Sequence, residues 1–581
     1  MLSVPCLDME DKICQLIKKY DFEIERETVY LSVIRDLLRD ELKESKRTGV
    51  ICAGRYTEHL LTDFGDVIDC FCIMDNDIQK QGKEINGFYI SGIDNIGLLD
   101  KVIVGTYDYR EEVTNQLLEM GVAREDIIDI PTLLNKAGIV SWNCYYLQTE
   151  DAYIPFIMLK NLYDHSNCRD SQEKYLKLRI KLYLQIRDIP SAQMCLKEYI
   201  SNEFEEIQKM RAAFEELDLL LKDIKDAFYS RKQRDIVWFW QDALSFRIAQ
   251  KMGYYKELQS KSLFFTNAYS SSMWTRHVYD IIFEKKYEIN DEGENETSEL
   301  LDDLESAGYD CVRFVANTKE GIVPMRQYDY IKEALIDYKI STTEIYWHCL
   351  NYVLNSTKPV FILAHSVLET HPPICCPELQ VYNRNWALYR DRFTETTRKK
   401  LDLNEEICAN YLDRITRFFS EILNSNAVKI YMSDHGFPYY KESRRWTKDS
   451  THIHFLVTGS LIEEDVCQEL VSLYSFDKLI KYILNPSKCN RDEIISQYIK
   501  MRSVSIYNKE LCAQLKEIGN EEYTISFRGI QSKEDRFILL ENGKEIYNVF
   551  PDDYTNHIDN TKYKERIQVL RELAGNSFVS C

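Results

Sequence analysis

The chain has 581 residues, 45% of them apolar and 29% charged, which is typical of a soluble globular protein with more than one domain. Its formal net charge of −21, with no basic block to offset it, argues against a nucleic-acid or anionic-membrane partner. No apolar run reaches the roughly 18 residues that span a bilayer, and acidic residues stand where a signal peptide has its apolar core. We therefore expect a cytoplasmic protein without a transmembrane segment.

The 17 cysteines are scattered and include no C-x-x-C pair. The close pairs Cys70/Cys72 and Cys375/Cys376 do not make a four-ligand zinc site. We expect reduced thiols, most of them buried.

Residues 1–46 have apolar positions spaced three and four apart, which predicts helices that pack against the rest of the chain. In residues 47–145, three buried-strand runs alternate with helical segments, as in a small parallel α/β sheet. Gly54 follows the first strand, and Asp75 ends the next strand about twenty residues later, as in half of a Rossmann fold. A lone glycine leaves two interpretations open, a phosphate cradle or simple turn geometry.

The segment D-N-D-I-Q-K-Q-G-K-E-I-N-G, which begins at Asp75, is the most recognisable part of this region. The pattern through Ile130 resembles small Rossmann-like modules fused to enzymes of bacterial surface glycans. That resemblance implies binding or sensing of a nucleotide-sugar-like ligand, and it supplies no catalytic residue.

Residues 146–232 are rich in Leu, Lys, Glu and Gln, with a strong helical period from Glu203 to Tyr229. We interpret this region as a helical connector. A helix pair of this length could carry a homo-oligomer contact, although a charged helical face is usually just solvated.

From residue 233 to 581 the sequence again alternates strands and helices, on a larger scale. A buried strand ends at Asp242, and the run K-I-Y-M-S-D-H-G delivers Asp434 and His435 at the end of another strand. Such ends face the ligand edge of open α/β sheets, and Gly436 would let the backbone turn away behind the two side chains. An Asp-His-Gly run could equally be a turn with a helix cap.

The motifs occur in a specific order: Asp242, then F-T-N-A-Y leading to Thr275, then L-E-T-H-P-P, then S-D-H-G. This order resembles the alkaline-phosphatase superfamily, in its sulfatase and lipoteichoic-acid-synthase-like branch of phosphoglycerol and phosphoethanolamine transferases. The resemblance covers about Arg234 to Leu573, and R-F-I-L-L-E-N-G-K-E-I-Y resembles the small C-terminal strand subdomain of sulfatases. It implies an α/β sandwich with a small C-terminal strand subdomain.

The resemblance implies that Asp242, Asp434 and His435 bind a divalent cation and that Thr275 is a nucleophile sharing it. Two carboxylates, an imidazole and a hydroxyl suit Mn, Zn or Mg. A metal near its oxygen would activate the otherwise weak threonine hydroxyl.

Further candidates flank this core. His371 stands where the family contacts the transferred group, or it is a histidine satisfied in a Pro-rich turn. Arg276 and His452 are candidates for substrate binding, and Arg276 could equally be a surface charge. His454 lies two residues beyond His452 and could face the same side. Ser270, Ser271 and Ser272 are alternative hydroxyls to Thr275.

The expected function is that of a metal-dependent phosphotransferase or phosphoesterase with a threonine nucleophile, acting on a glycan or glycan-precursor phosphoester. The run T-R-H-V-Y replaces the C-x-P-x-R or S-x-P-x-R of type I sulfatases, which argues against true sulfatase activity. The alternatives are a sulfuric or phosphonic ester hydrolase using the same site, and a catalytically inactive, glycan-binding scaffold.

Overall fold

The computed structural model describes residues 8–107, 109–140, 152–285, 298–315, 323–324, 340–370, 374–383, 395–424, 426–437, 444–503 and 525–575. The predicted α/β class is confirmed, with an N-terminal sheet, a helical region, a large mixed sheet and a small C-terminal sheet. None of the helices in these ranges combines the length and apolar character needed to cross a bilayer.

The N-terminal part contains a sheet of order β3-β4-β2-β1-β5-β6. All neighbouring strands pair in parallel except β3 with β4. Its elements are α1 (Met9–Lys19), α2 (Arg26–Leu42), β1 (Thr48–Ile51), α3 (Arg55–Phe64), β2 (Cys70–Met74), β3 (Glu84–Ile85), β4 (Phe88–Ser91), β5 (Lys101–Val104), α4 (Arg110–Glu119), β6 (Ile127–Ile128), α5 (Ile130–Lys136) and β7 (Ile139–Val140).

Asp75 fastens two loops of this sheet together. One carboxylate oxygen accepts the Ala53 N–H at 2.8 Å and the Lys80 ammonium at 2.9 Å, while the other accepts the Asp77 N–H at 2.8 Å. The carboxylate therefore holds the loop after β1 against the loop after β2. This contact, made next to Gly54, supports turn geometry as the role of that glycine.

The helical region consists of α6 (Ile154–His165), α7 (Arg169–Gln185), α8 (Ile189–Ser201) and α9 (Ile207–Ser230). Its buried residues, such as Leu182 and Leu217, belong to one apolar cluster that also holds Met9, Leu134 and Phe239. The helices thus pack into a core shared with both neighbouring regions. The domain boundaries near residues 47, 146 and 233 stay predictions.

The large sheet has the order β11-β10-β12-β8-β14-β15-β9-β16. Its region contains β8 (Ile236–Gln241), α10 (Phe246–Ala249), α11 (Gly253–Gln259), β9 (Leu263–Tyr269), α12 (Thr275–Tyr279), α13 (Glu299–Ser306), β10 (Asp310–Val315), β11 (Val323–Pro324), α14 (Thr342–Asn355), β12 (Val360–Ser366), β13 (Tyr382–Asn383), α15 (Glu395–Ile422), β14 (Val428–Met432), α16 (Lys448–Thr451), β15 (Phe455–Thr458), β16 (Asp465–Ser472) and α17 (Phe476–Leu484).

Strand β8 lies in the middle of this sheet, and all six of its residues are buried. Val237 and Phe239 belong to the apolar cluster on one face, while Trp238 and Trp240 belong to the cluster on the other. Because side chains alternate along a strand, burial on both faces favours apolar residues and creates the layers of the sandwich. The one polar residue of β8, Gln241, is hydrogen-bonded to Tyr255 and Thr416.

Strands β12 and β14 run parallel to β8 on its two sides. Strand β15 is antiparallel to both β14 and β9, so β9 points the same way as β14. The carboxyl ends of β8, β9, β12 and β14 therefore meet at one edge of the sheet, where open α/β sheets bind ligands.

The C-terminal sheet is an antiparallel meander of β17 (Ile499–Ser503), β18 (Phe527–Gln531), β19 (Asp535–Leu540) and β20 (Glu545–Val549), followed by α18 (Lys564–Ala574). Ile567 and Leu570 of the helix pack against one face. The other face packs on Tyr269 and Trp446 of the large domain. The predicted C-terminal strand subdomain is confirmed.

Candidate active site

Four side chains from different segments converge at the carboxyl edge of the large sheet. Asp242 directly follows β8, and Asp434 and His435 follow β14 by two and three positions. Thr275 begins α12, after the loop that leaves β9. The structure thus brings together Asp242, Thr275, Asp434 and His435, and their roles as ligands and nucleophile stay predictions.

The Thr275 hydroxyl lies inside this group. Its Oγ1 atom is 3.2 Å from Asp242 Oδ2 and 3.2 Å from His435 Nε2. The hydroxyl proton is donated to Asp242. The threonine oxygen is therefore held next to a carboxylate and an imidazole at once.

Asp434 is fully buried, and its two oxygens have different surroundings. Oδ1 accepts the backbone N–H of Ala243 at 3.1 Å and that of His435 at 2.9 Å. Oδ2 has no hydrogen-bond partner among the described residues and lies 3.4 Å from His435 Nε2. Burial, followed by the nearby charge of Asp242, raises the pKa of Asp434 above its usual range.

The orientation of the His435 ring is fixed by its other nitrogen. Nδ1 lies 2.9 Å from the Gly436 carbonyl oxygen. Because a carbonyl oxygen can only accept, Nδ1 carries a proton, and in the neutral ring Nε2 then has the lone pair. Nε2 faces the side-chain oxygens of Asp434, Asp242 and Thr275.

The set of groups fits a divalent cation. One ligand atom each from Asp242, Asp434 and His435 lies within 4.8 Å of the other two, and all three residues are buried. Two carboxylates and an imidazole lone pair facing one another in a buried space repel unless a positive charge lies between them. The donor set of oxygen and nitrogen suits Mn, Zn or Mg, with Thr275 as a neighbouring oxygen.

Gly436 is needed for a reason other than the expected turn. A Cβ atom at this position would lie 2.0 Å from the Asp449 carbonyl oxygen and 2.8 Å from the Ser245 Cβ atom. Close approach of the Asp449 backbone therefore requires glycine here. Within residues 426–437 no helix follows Asp434, so the helix-cap interpretation finds no support.

The three serines of the β9–α12 loop are used within the loop or buried. The Ser270 hydroxyl donates to the Ser272 carbonyl oxygen at 2.6 Å, and the Ser272 hydroxyl accepts the Trp274 N–H at 3.1 Å. Ser271 is fully buried. These contacts organise the loop that presents Thr275.

The remaining candidates occupy various positions. The Arg276 guanidinium lies 5.7 Å from the Trp274 ring centre. His452 is stacked on Phe246 with ring centres 4.0 Å apart, and its Nε2 lies 2.8 Å from the Thr266 carbonyl oxygen. Burial lowers the pKa of His452 to about 4. His371 lies outside the described residues, and the proposed substrate contacts of all three stay predictions.

His454, the alternative to His452, is also part of the packing. Its ring is stacked on Tyr255 with centres 4.4 Å apart. Burial, with a smaller contribution from His452, lowers the pKa of His454 to about 3. Both histidines are therefore neutral in the neutral pH range.

The sequence analysis missed one residue of this group, His365. Its Nε2 lies 3.2 Å from Asp242 Oδ2, and it is the next-to-last residue of β12. The available signal was a single histidine near the carboxyl end of an otherwise apolar strand.

Comparison with known proteins gives distant similarities. A family model described as "C2185-like, N-terminal" matches residues 49–128. No curated protein sequence matches the chain significantly.

Three solved structures with distant similarity are as follows. A 2-O GAG sulfatase has 12% identity and a TM-score of 0.44 over 59% of this chain and 91% of its own. A putative sulfatase from Bacteroides thetaiotaomicron has 14% identity and a TM-score of 0.43 over 59% and 91%. A phosphonate monoester hydrolase from Silicibacter pomeroyi has 10% identity and a TM-score of 0.44 over 59% and 94%.

Proposed function

We propose that this chain is a metal-dependent phosphotransferase or phosphoesterase of the alkaline-phosphatase superfamily, with Thr275 as its nucleophile. The observation that carries the proposal is the position of Thr275 Oγ1, 3.2 Å from both Asp242 Oδ2 and His435 Nε2. A hydroxyl in the middle of groups suited to a cation is where an oxygen nucleophile is activated.

Each residue of the site has a separate role in the proposed reaction. Asp242, Asp434 and His435 would hold the divalent cation, which when bound supplies the positive charge that favours loss of the threonine proton and polarises the ester. The Gly436 carbonyl keeps the His435 proton on Nδ1, so that Nε2 stays available. The Asp242 hydrogen bond orients the Thr275 oxygen before it attacks.

In the first step the Thr275 oxygen forms a bond to phosphorus while the bond from phosphorus to the leaving oxygen breaks. The threonine gives up its proton, and the leaving oxygen takes one up. An acceptor hydroxyl or water then attacks the phosphothreonine, loses a proton and restores Thr275. Positioning and charge neutralisation supply most of the rate in such transfers.

The substrate class follows from the N-terminal module by analogy. A Rossmann-like sheet beside a phosphoester site favours a glycan or glycan precursor as substrate or acceptor. The finer choice between a transferase and a hydrolase depends on whether a hydroxyl acceptor competes with water.

The test uses stripped full-length protein with Mn, Zn or Mg restored separately. Chromogenic phosphomonoesters, phosphodiesters and sulfate esters are offered to each form, and active mixtures are quenched with acid for peptide mapping. We expect turnover of a phosphoester and a phosphate on Thr275. Thr275→Ala should abolish turnover, Thr275→Ser should keep part of it, and Ser271→Ala should act as wild type.

Full activity of Thr275→Ala without a covalent adduct would identify water as the attacking species and would end the nucleophile proposal. Preferred turnover of sulfate esters would favour the hydrolase alternative. Protein that binds no divalent cation and turns over no ester would instead favour a scaffold.

A further inference from the structure

His365 lies between the metal-binding group and the aromatic layer beneath it. The side chain is 6% exposed. Nε2 is 3.2 Å from Asp242 Oδ2, and Nδ1 is 3.3 Å from the Tyr279 hydroxyl. The imidazole thus bridges a carboxylate of the site and a buried phenol.

The chemistry of the two partners fixes the direction of these hydrogen bonds. A carboxylate can only accept, so His365 Nε2 carries the proton and donates it to Asp242. In the neutral ring Nδ1 then has the lone pair and accepts the Tyr279 hydroxyl proton. The chain runs from Tyr279 through His365 to Asp242, with every donor matched to an acceptor.

His365 and Tyr279 are both held against Trp240 of β8. His365 pairs with Trp240 across β12 and β8, and Tyr279 is stacked on the Trp240 ring with centres 4.4 Å apart and planes 13° apart. Tyr279 is also the last residue of α12, the short helix that begins at Thr275. The hydrogen bonds from Tyr279 to His365 and from His365 to Asp242 therefore connect α12, which begins at Thr275, to the carboxylate of Asp242.

We propose that His365 is a positioning residue, oriented by Tyr279, that holds the Asp242 carboxylate in the rotamer needed to bind the cation. His365 acts through Asp242 and touches neither cation nor substrate. Outer hydrogen bonds of this kind orient ligating carboxylates, and their loss lowers metal affinity. The inference rests on the metal-binding role that the proposed function gives to Asp242.

The test measures cation affinity of the stripped full-length protein by titration with Mn or Zn, without any ester present. Glutamine places an amide N–H near the position of Nε2, whereas asparagine places it near Nδ1. We expect His365→Gln to bind within a few-fold of wild type, and His365→Asn and His365→Leu to bind about 10- to 100-fold more weakly. Tyr279→Phe keeps the ring stacking and should lose less affinity than His365→Leu.

His454→Phe is the matched control, because it replaces another buried, stacked histidine, the one directly before β15, and should leave affinity unchanged. Thermal unfolding of each variant checks the fold, and if His365→Leu does not fold, the comparison of Gln with Asn decides. Equal affinity of His365→Gln and His365→Asn, or wild-type affinity of His365→Leu, would overturn the proposal. Turnover plays no part in this measurement, so a failure to find any ester substrate would count against the proposed function alone.

Discussion

The backbone N–H of Ala243 donates to Asp434 Oδ1 over 3.1 Å, and Ala243 does so from a left-handed conformation with φ of 57°. This conformation costs a residue with a Cβ atom roughly 1 kcal/mol. The contact ties the turn after β8 to the turn after β14, so that the carboxylates that follow these strands are held in one arrangement. Backbone strain is thus located directly at the candidate metal group.

We predict opposite effects of two substitutions at this position. Ala243→Gly keeps the N–H and tolerates positive φ, so it should retain bound cation. Ala243→Pro removes the N–H and requires φ near −65°, so it should lose most bound cation and melt at a lower temperature. Metal content after dialysis, measured beside thermal unfolding, checks both, and wild-type metal content in Ala243→Pro would contradict the argument.

Asp434→Asn should lose the cation yet stabilise the stripped protein. An amide cannot replace the charge of a carboxylate at a divalent ion. The same change removes a buried negative charge beside Asp242. Burial, followed by the charge of Asp242, raises the pKa of Asp434, because both disfavour the ionised form. We expect the unfolding free energy of the stripped protein to rise, as measured by denaturant unfolding.

The matched control is Asp413→Asn, since Asp413 accepts the Tyr254 N–H at the start of α11 and lies outside the metal group. It should leave the metal content unchanged. An Asp434→Asn variant that keeps its cation would remove Asp434 from the ligand set.

The parts of the fold that the sequence predicted are those encoded by local pattern. Continuous apolar runs such as the one ending before Asp242 predict buried parallel strands, and the polar residue after each run marks the carboxyl edge. These local patterns are why the α/β class and the C-terminal sheet could be predicted, and the structure confirms both. The convergence of Asp242 and Asp434 needs only that β8 and β14 be parallel neighbours, as they are.

The parts that the sequence did not predict depend on contacts between distant segments. His365 reaches Asp242 because β12 pairs with β8 in a register that no local pattern encodes. Gly436 is required by Asp449, which arrives from a separate segment. The helices of residues 146–232 are rich in charged residues, which favoured a simple connector. Their apolar faces nevertheless belong to a core that they share with two sheets.

Gly436→Ala should destabilise the protein strongly. The added Cβ would lie 2.0 Å from the Asp449 carbonyl oxygen, and backbone on both sides must move to admit it. Overpacking of this kind costs about 1–3 kcal/mol or more. Gly97→Ala is the control, because its Cβ would meet no atom within 4 Å, and denaturant unfolding should show little change there. Equal stability of the two variants would show that the Asp449 segment yields easily.

Glu369 should make stability fall as pH rises. This residue is 2% exposed and accepts the hydroxyls of Tyr153 and Thr342, each at 2.6 Å. Burial raises the pKa of Glu369 from 4.5 to about 7, so between these values the folded chain binds more protons here than the unfolded chain. By linkage, its contribution to unfolding free energy is complete below the lower value and falls by about 3 kcal/mol as pH rises through the folded value.

Glu369→Gln cannot ionise, and both neighbouring hydroxyls can also accept a hydrogen bond from the amide. The variant should therefore gain stability relative to wild type as pH rises from 5 to 8, measured by denaturant unfolding at each pH. Glu463→Gln, whose carboxylate side chain is 70% exposed, should show a constant difference from wild type. Since Thr370, the next residue, donates to the Asp242 carbonyl oxygen, loss of order at Glu369 would also loosen the candidate site. A pH-independent difference between Glu369→Gln and wild type would mean that Glu369 ionises as readily in the folded protein as in the unfolded chain.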